Sequence, residues 1–174
     1  MAKIVAAAAV SALLMFSGLF PVRAAVAGDA VGEPSARIVE FGVYDVVSSP
    51  VDQSGAVSGT ANAVRGLRLL QGTDRVPARV GVNFGMRFQL IGSAAAYPIE
   101  TRVVYPKAMV NPETGRSATV ETFGAEIKPG PNYHGFTFEH EWELLPGVWR
   151  FQIYSRGRLL LEKAFTVYRP GDQV

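Results

Sequence analysis

The chain has 174 residues and no cysteine, and its 17 basic and 15 acidic residues leave a formal charge of +2. Disulfide scaffolds and lipid attachment through a cysteine are thereby excluded. So small a positive excess is not read as a nucleic-acid or anionic-membrane footprint, which needs a clustered basic face.

The N-terminus has the pattern of an export signal: Lys3 is followed by an apolar run from Ile4 to Phe20, then by small residues. Residues 1–27 are predicted to be a signal peptide, cut after Ala24 or Ala27, and the protein is expected in the periplasm or secreted. A retained anchor is the alternative, because Ile4 to Val22 is just long enough to span a bilayer. Loss of Lys3 and Arg23 leaves the mature chain near neutrality, and no other segment is apolar for long enough to hold it in a membrane. Residues 28–35 read as a flexible leader, 36–170 as a single domain and 171–174 as a tail.

Arg37 to Val47 is predicted as a strand with both faces partly covered, because apolar residues occupy both parities. Ser48 to Asn62, rich in Ser, Gly and Ala, reads as an excursion, and Gly66 to Leu70 as a short strand. Val80 to Ile91 alternates most cleanly, with Val80, Val82, Phe84, Met86, Phe88 and Leu90 on one face and Asn83, Arg87 and Gln89 pointing away. A helix cannot gather residues spaced two apart on one face. Ile99 to Tyr105 is the next strand, interrupted by Pro106. Lys107 to Thr119 reads as a loop and Thr119 to Ala125 as a short strand.

Lys128 to Asn132, with two prolines and a glycine, is read as irregular. Phe136, Phe138, His140, Trp142 and Leu144 then alternate with Glu139, Glu141 and Glu143, which predicts a strand with an acidic wet face. Pro146-Gly147 turns into Val148 to Ser155, and Arg156-Gly157 into a last strand through Leu159, Leu161, Phe165 and Val167. The short connections favour antiparallel neighbours.

Seven or so strands and no amphipathic helix predict an all-β fold, an immunoglobulin-like antiparallel β-sandwich, with a small β-barrel as the alternative. Val82, Phe84, Met86 and Phe88 are expected to pack across the core from Trp149, Phe151, Phe165 and Val167. The chain also resembles a family of small exported bacterial immunoglobulin-like domains of unknown function. The resemblance rests on Glu40 to Tyr44, Phe84 to Phe88, the Asn111-Pro112-Glu113-Thr114-Gly115 loop, Trp142 to Phe151 and Leu161 to Val167. It implies fold and export and no particular chemistry.

Chemistry-bearing residues are few. His134 is read as a surface loop residue and His140 as a partly buried structural one. Together with neighbouring glutamates they offer a weak metal or hydrolase signature. No serine stands at a strand-to-helix elbow, and no glycine loop precedes a helix. Gly85 is read as permitting a bulge or close packing against an aromatic ring. Arg65, Arg68, Arg75, Arg79 and Arg87 make a locally basic middle. The 111–115 segment reads as a stiff turn in which Asn111 bonds its own backbone and Gly115 takes a positive φ. Glu113, Arg116 and Arg87 are therefore the candidate binding residues. The sequence points to an exported, non-catalytic accessory or recognition domain, without a cofactor, that binds an envelope protein or a polymeric ligand and no nucleic acid. An envelope hydrolase or metal-dependent protein using His134, His140 and nearby glutamates is the competing reading.

Overall fold

The computed structural model describes residues 34–52, 56–58, 60–92 and 96–171. The predicted signal peptide and most of the leader lie outside the described residues. Among the described residues nine strands form two sheets. One has the order β2-β1-β4-β7, with β1 Ser35–Asp52, β2 Thr60–Gln71, β4 Asn83–Ile91 and β7 Pro131–Thr137. The other has the order β3-β9-β8-β5-β6, with β3 Arg75–Pro77, β5 Tyr97–Val110, β6 Ser117–Ile127, β8 Gly147–Ser155 and β9 Arg158–Tyr168. The sheets stay separate, so the fold is the sandwich and not the barrel. Among the described residues all strand pairings are antiparallel except that of β3 with β9. Among the described residues no helix is long and apolar enough to cross a membrane.

Strand β4 starts at Asn83, so Val80 precedes it in a turn and is exposed instead of facing the core. Alternation in β4 sends Phe84, Met86 and Phe88 inward, where all three are fully buried. Facing them are Trp149, Phe151, Phe165 and Val167 of β8 and β9, the opposition expected from the pattern. The Phe84 ring lies 5.4–5.5 Å, centroid to centroid, from Trp149, Phe151 and Phe165, each time edge to face. That geometry sets the positive ring edge against the negative ring face.

In β1 both parities are apolar because the register breaks between Ile38 and Glu40. Val39 is the extra residue and is exposed, while Ile38, Phe41 and Val43 pack on the core.

Several boundaries differ from the sequence reading. The supposed excursion after Ser48 is largely a two-stranded arm, since β1 and β2 stay paired out to Asp52 and Thr60. Strand β5 passes Pro106 and re-pairs with β6 at Met109 and Val110. Pro131 and Asn132 belong to edge strand β7, where a proline's missing N–H leaves no gap in a ladder.

The predicted strand through Trp142 is absent. Strand β7 ends at Thr137, and Glu141–Glu143 form a single 3₁₀ turn. Glu143 is consequently not on a wet face; it is 1% exposed. Its carboxylate accepts hydrogen bonds from the backbone N–H groups of Glu139 and His140, satisfying donors that the turn leaves open.

Candidate functional site

The pairing of β1 with β4 stops at Tyr44, whereas β1 and β2 continue as an arm. Beyond the end of that arm, Ala56 and Val57 are buried against the opposite sheet. Three side chains anchor them there. Asn111 Nδ2 donates to the Val57 carbonyl at 3.0 Å, Arg116 Nη1 donates to the Ala56 carbonyl at 3.3 Å, and Glu121 accepts from the Val57 N–H. The second Glu121 oxygen accepts from the Tyr105 hydroxyl. A carboxylate that must be buried is thus met by two neutral donors.

Between this anchored segment, β6 and β7 lies a cleft of about 480 Å³. Glu121, Phe123, Tyr133, His134, Phe136 and Glu143 stand on its walls. Its β7 wall depends on two glycines. Gly85 and Gly135 are register partners, and the Tyr133 ring lies against the flat patch they leave: a Cβ on Gly135 would be 2.1 Å from the Tyr133 hydroxyl oxygen. The close aromatic packing expected of Gly85 is therefore present. Tyr133 donates to Asn83 Oδ1, Asn83 donates to Thr137 Oγ1 at 2.7 Å, and the Tyr133 ring meets Tyr44 edge to face. Burial lifts the Tyr133 hydroxyl well above its ordinary pKa and lifts Tyr44 to about 12. Both stay protonated at physiological pH.

His134 is not a surface loop residue. It sits in β7, 8% exposed, with Nε2 3.0 Å from the Arg102 carbonyl and its ring edge to face with Phe151. A carbonyl only accepts, so Nε2 carries the proton and the neutral ring leaves Nδ1 as an acceptor. Burial lowers the His134 pKa from 6.5 to about 4, and the Arg102 hydrogen bond only partly opposes this. Glu143 is pushed the other way, above the usual carboxylate range, by burial ahead of its backbone hydrogen bonds.

These two shifts have opposite linkage. The unfolded chain takes up the His134 proton first, so stability is lost as pH falls from 6.5 towards 4, by about 3 kcal/mol in full. Glu143, whose folded pKa is raised, contributes stability at low pH that is lost as pH rises through its folded value. Denaturation of wild type and His134→Gln at pH 7.5 and pH 4.5 separates them, because the Glu143 contribution is common to both proteins. The expected result is a stability gap that shrinks or reverses at pH 4.5; an unchanged gap would refute the buried neutral imidazole.

His140 is exposed, not partly buried, and stacks on Trp142 at 5.3 Å with the rings 9° apart. It does not line the cleft, so the two histidines do not form one site. Among the described residues no group of three metal-ligating side chains could hold a metal ion.

The candidate binding residues divide. Glu113 is exposed on the β5–β6 turn, where Asn111 Oδ1 accepts from the Glu113 and Thr114 N–H groups and Gly115 has φ 70°. The predicted turn chemistry is present. Arg116 serves the anchor, and Arg87 lies in the other sheet, paired with Glu40 at 3.1 Å. The basic middle is also dispersed: Arg68 pairs with Asp45 on β2, while Arg75 lies over the Tyr168 ring from β3. The sequence reading missed Glu121, Tyr105 and Tyr133. One signal was available for Glu121, which shares the parity of Phe123, Ala125 and Ile127 and so is a charge on an inward face.

The family described as a domain of unknown function (DUF3859) matches residues 33–167. A crystal structure of an immunoglobulin-like protein from Pseudomonas aeruginosa is similar at 27% identity and a TM-score of 0.53, covering 80% of this chain and 99% of that one. No curated protein matches.

Proposed function

Because the chain belongs to the DUF3859 family of domains of unknown function, we propose its role from the cleft: an exported, non-catalytic recognition domain of the bacterial envelope. On this reading the cleft takes a segment of a protein or polymeric ligand. The observation that carries it is the construction of the cleft between the outer strands of the two sheets, β6 and β7, with the anchored Ala56–Ser58 segment on a third side. Aromatic walls and a few polar groups on rigid strands are what binding clefts require. The signal-like N-terminus supports export, and the mature protein is expected to begin at Ala25 or Gly28 in a periplasmic or secreted fraction.

The hydrolase reading has less support. The His134 N–H is committed to a backbone carbonyl, and His140 lies outside the cleft. The test is a pull-down from envelope extract with wild type and Phe123→Ser, a half-buried cleft residue whose loss opens one wall. The expected outcome is a discrete partner or glycan retained by wild type and lost with the variant, at matched melting behaviour. Equal retention by both proteins, or none by either, would count against recognition in the cleft.

A further inference from the structure

Glu121 and Glu143 both line the cleft and are 8% and 1% exposed. Among the described residues their hydrogen-bond partners are neutral: the Val57 N–H and the Tyr105 hydroxyl for Glu121, two backbone N–H groups for Glu143. Both Glu143 bonds fall on Oε2, so the second oxygen, Oε1, accepts none among the described residues. Tyr105 stands near both: its hydroxyl is held protonated by burial first and then by the nearby charges of Glu121 and Glu143. No lysine or arginine among the described residues lines this cleft. His140, outside the cleft, acts favourably on the Glu143 charge and Glu139 acts unfavourably. Burying a carboxylate against neutral donors is costly, and a cation entering from outside relieves that cost.

Resting on the recognition reading above, we infer that the cleft binds a primary ammonium group, set against Glu143 and Glu121 and carried on a stem that lies along Phe123 and Phe136. A bare metal ion fits less well. Ion coordination needs three ligands closing to within bonding distance, a grouping absent among the described residues. An ammonium needs one good hydrogen bond, here to Glu143 Oε1, and draws on the second carboxylate through a charge attraction that falls only as 1/r. An anionic ligand is disfavoured by the same two charges. The His134 acceptor nitrogen on the β7 wall suits a hydroxyl or amide N–H elsewhere on the ligand.

Two sources present such a group, a lysine side chain and an amino sugar. NMR titration of the full mature domain with Nα-acetyl-lysine methylamide and with glucosamine covers both. Their neutral counterparts are the norleucine analogue of the first and N-acetylglucosamine. At least one ammonium probe is expected to shift cleft resonances with affinity roughly tenfold above its neutral counterpart, and Glu143→Gln should erase that preference. Which probe binds identifies the source. If neutral probes shift the cleft as strongly as charged ones, the ammonium inference fails and the recognition reading stands. If no probe shifts the cleft and the envelope pull-down is also empty, both fail. The comparison of charged and neutral probes on wild type needs no variant, so it decides the matter even if Glu143→Gln does not fold.

Discussion

Trp149→Ala is expected to destabilise the domain by about 3–5 kcal/mol, the range for truncating a large buried aromatic in a core that cannot fully collapse. The indole is fully buried. Its ring meets Phe84, Phe138, Phe136 and Tyr105 at centroid separations of 4.9–5.5 Å. Its N–H donates to the Leu145 carbonyl at 2.8 Å, which ties β8 to the segment after the 3₁₀ turn. Alanine removes the rings' common partner and strands that carbonyl. Urea denaturation at pH 7.5, read by far-UV circular dichroism, measures the loss. A cost below about 1 kcal/mol would mean that Trp149 is not the centre of the core.

Gly85→Ala is expected to be comparably damaging, about 3 kcal/mol or more, although it adds a single methyl group. The new Cβ would sit 2.4 Å from the His134 carbonyl oxygen and 2.5 Å from the Gly135 Cα, both backbone atoms of the neighbouring strand. Neither can swing aside as a side chain would, so β4 and β7 must separate where Tyr133 rests. Gly124→Ala is the control, because a Cβ there meets nothing within 4 Å. It should change stability by less than about 1 kcal/mol. Equal effects from the two substitutions would show that β7 yields easily and that the cleft wall is not rigid.

The sandwich was legible where one strand face is core and the other is wet. Residues 82–90 and 149–153 alternate for that reason, and the same alternation fixed which residues oppose each other. Legibility failed where a second layer covers the outer face. Asn83 is polar and reads as exposed, yet it is 3% exposed because Tyr133 bonds to it from the next strand. It failed again at residues 138–144, where apolar alternation continues by chance into a 3₁₀ turn; Glu143 three residues after His140 was the overlooked capping signal.

The candidate site was harder still. The Glu113 turn is built from neighbours in sequence and was read correctly as a turn. The cleft joins Glu121, Tyr133, His134 and Glu143 from three elements. The pairings of β4 with β7 and of β5 with β6, and the reach of the Ala56–Ser58 segment, bring them together.

Recognition through the cleft is tested most directly by site-specific photocrosslinking in intact cells, with a photoreactive phenylalanine analogue at Phe123 or, as a remote control, at exposed Leu159 on β9. The expected result is a discrete adduct from position 123 and none from position 159. Adducts from both positions alike, or from position 159 alone, would contradict the cleft as the recognition site.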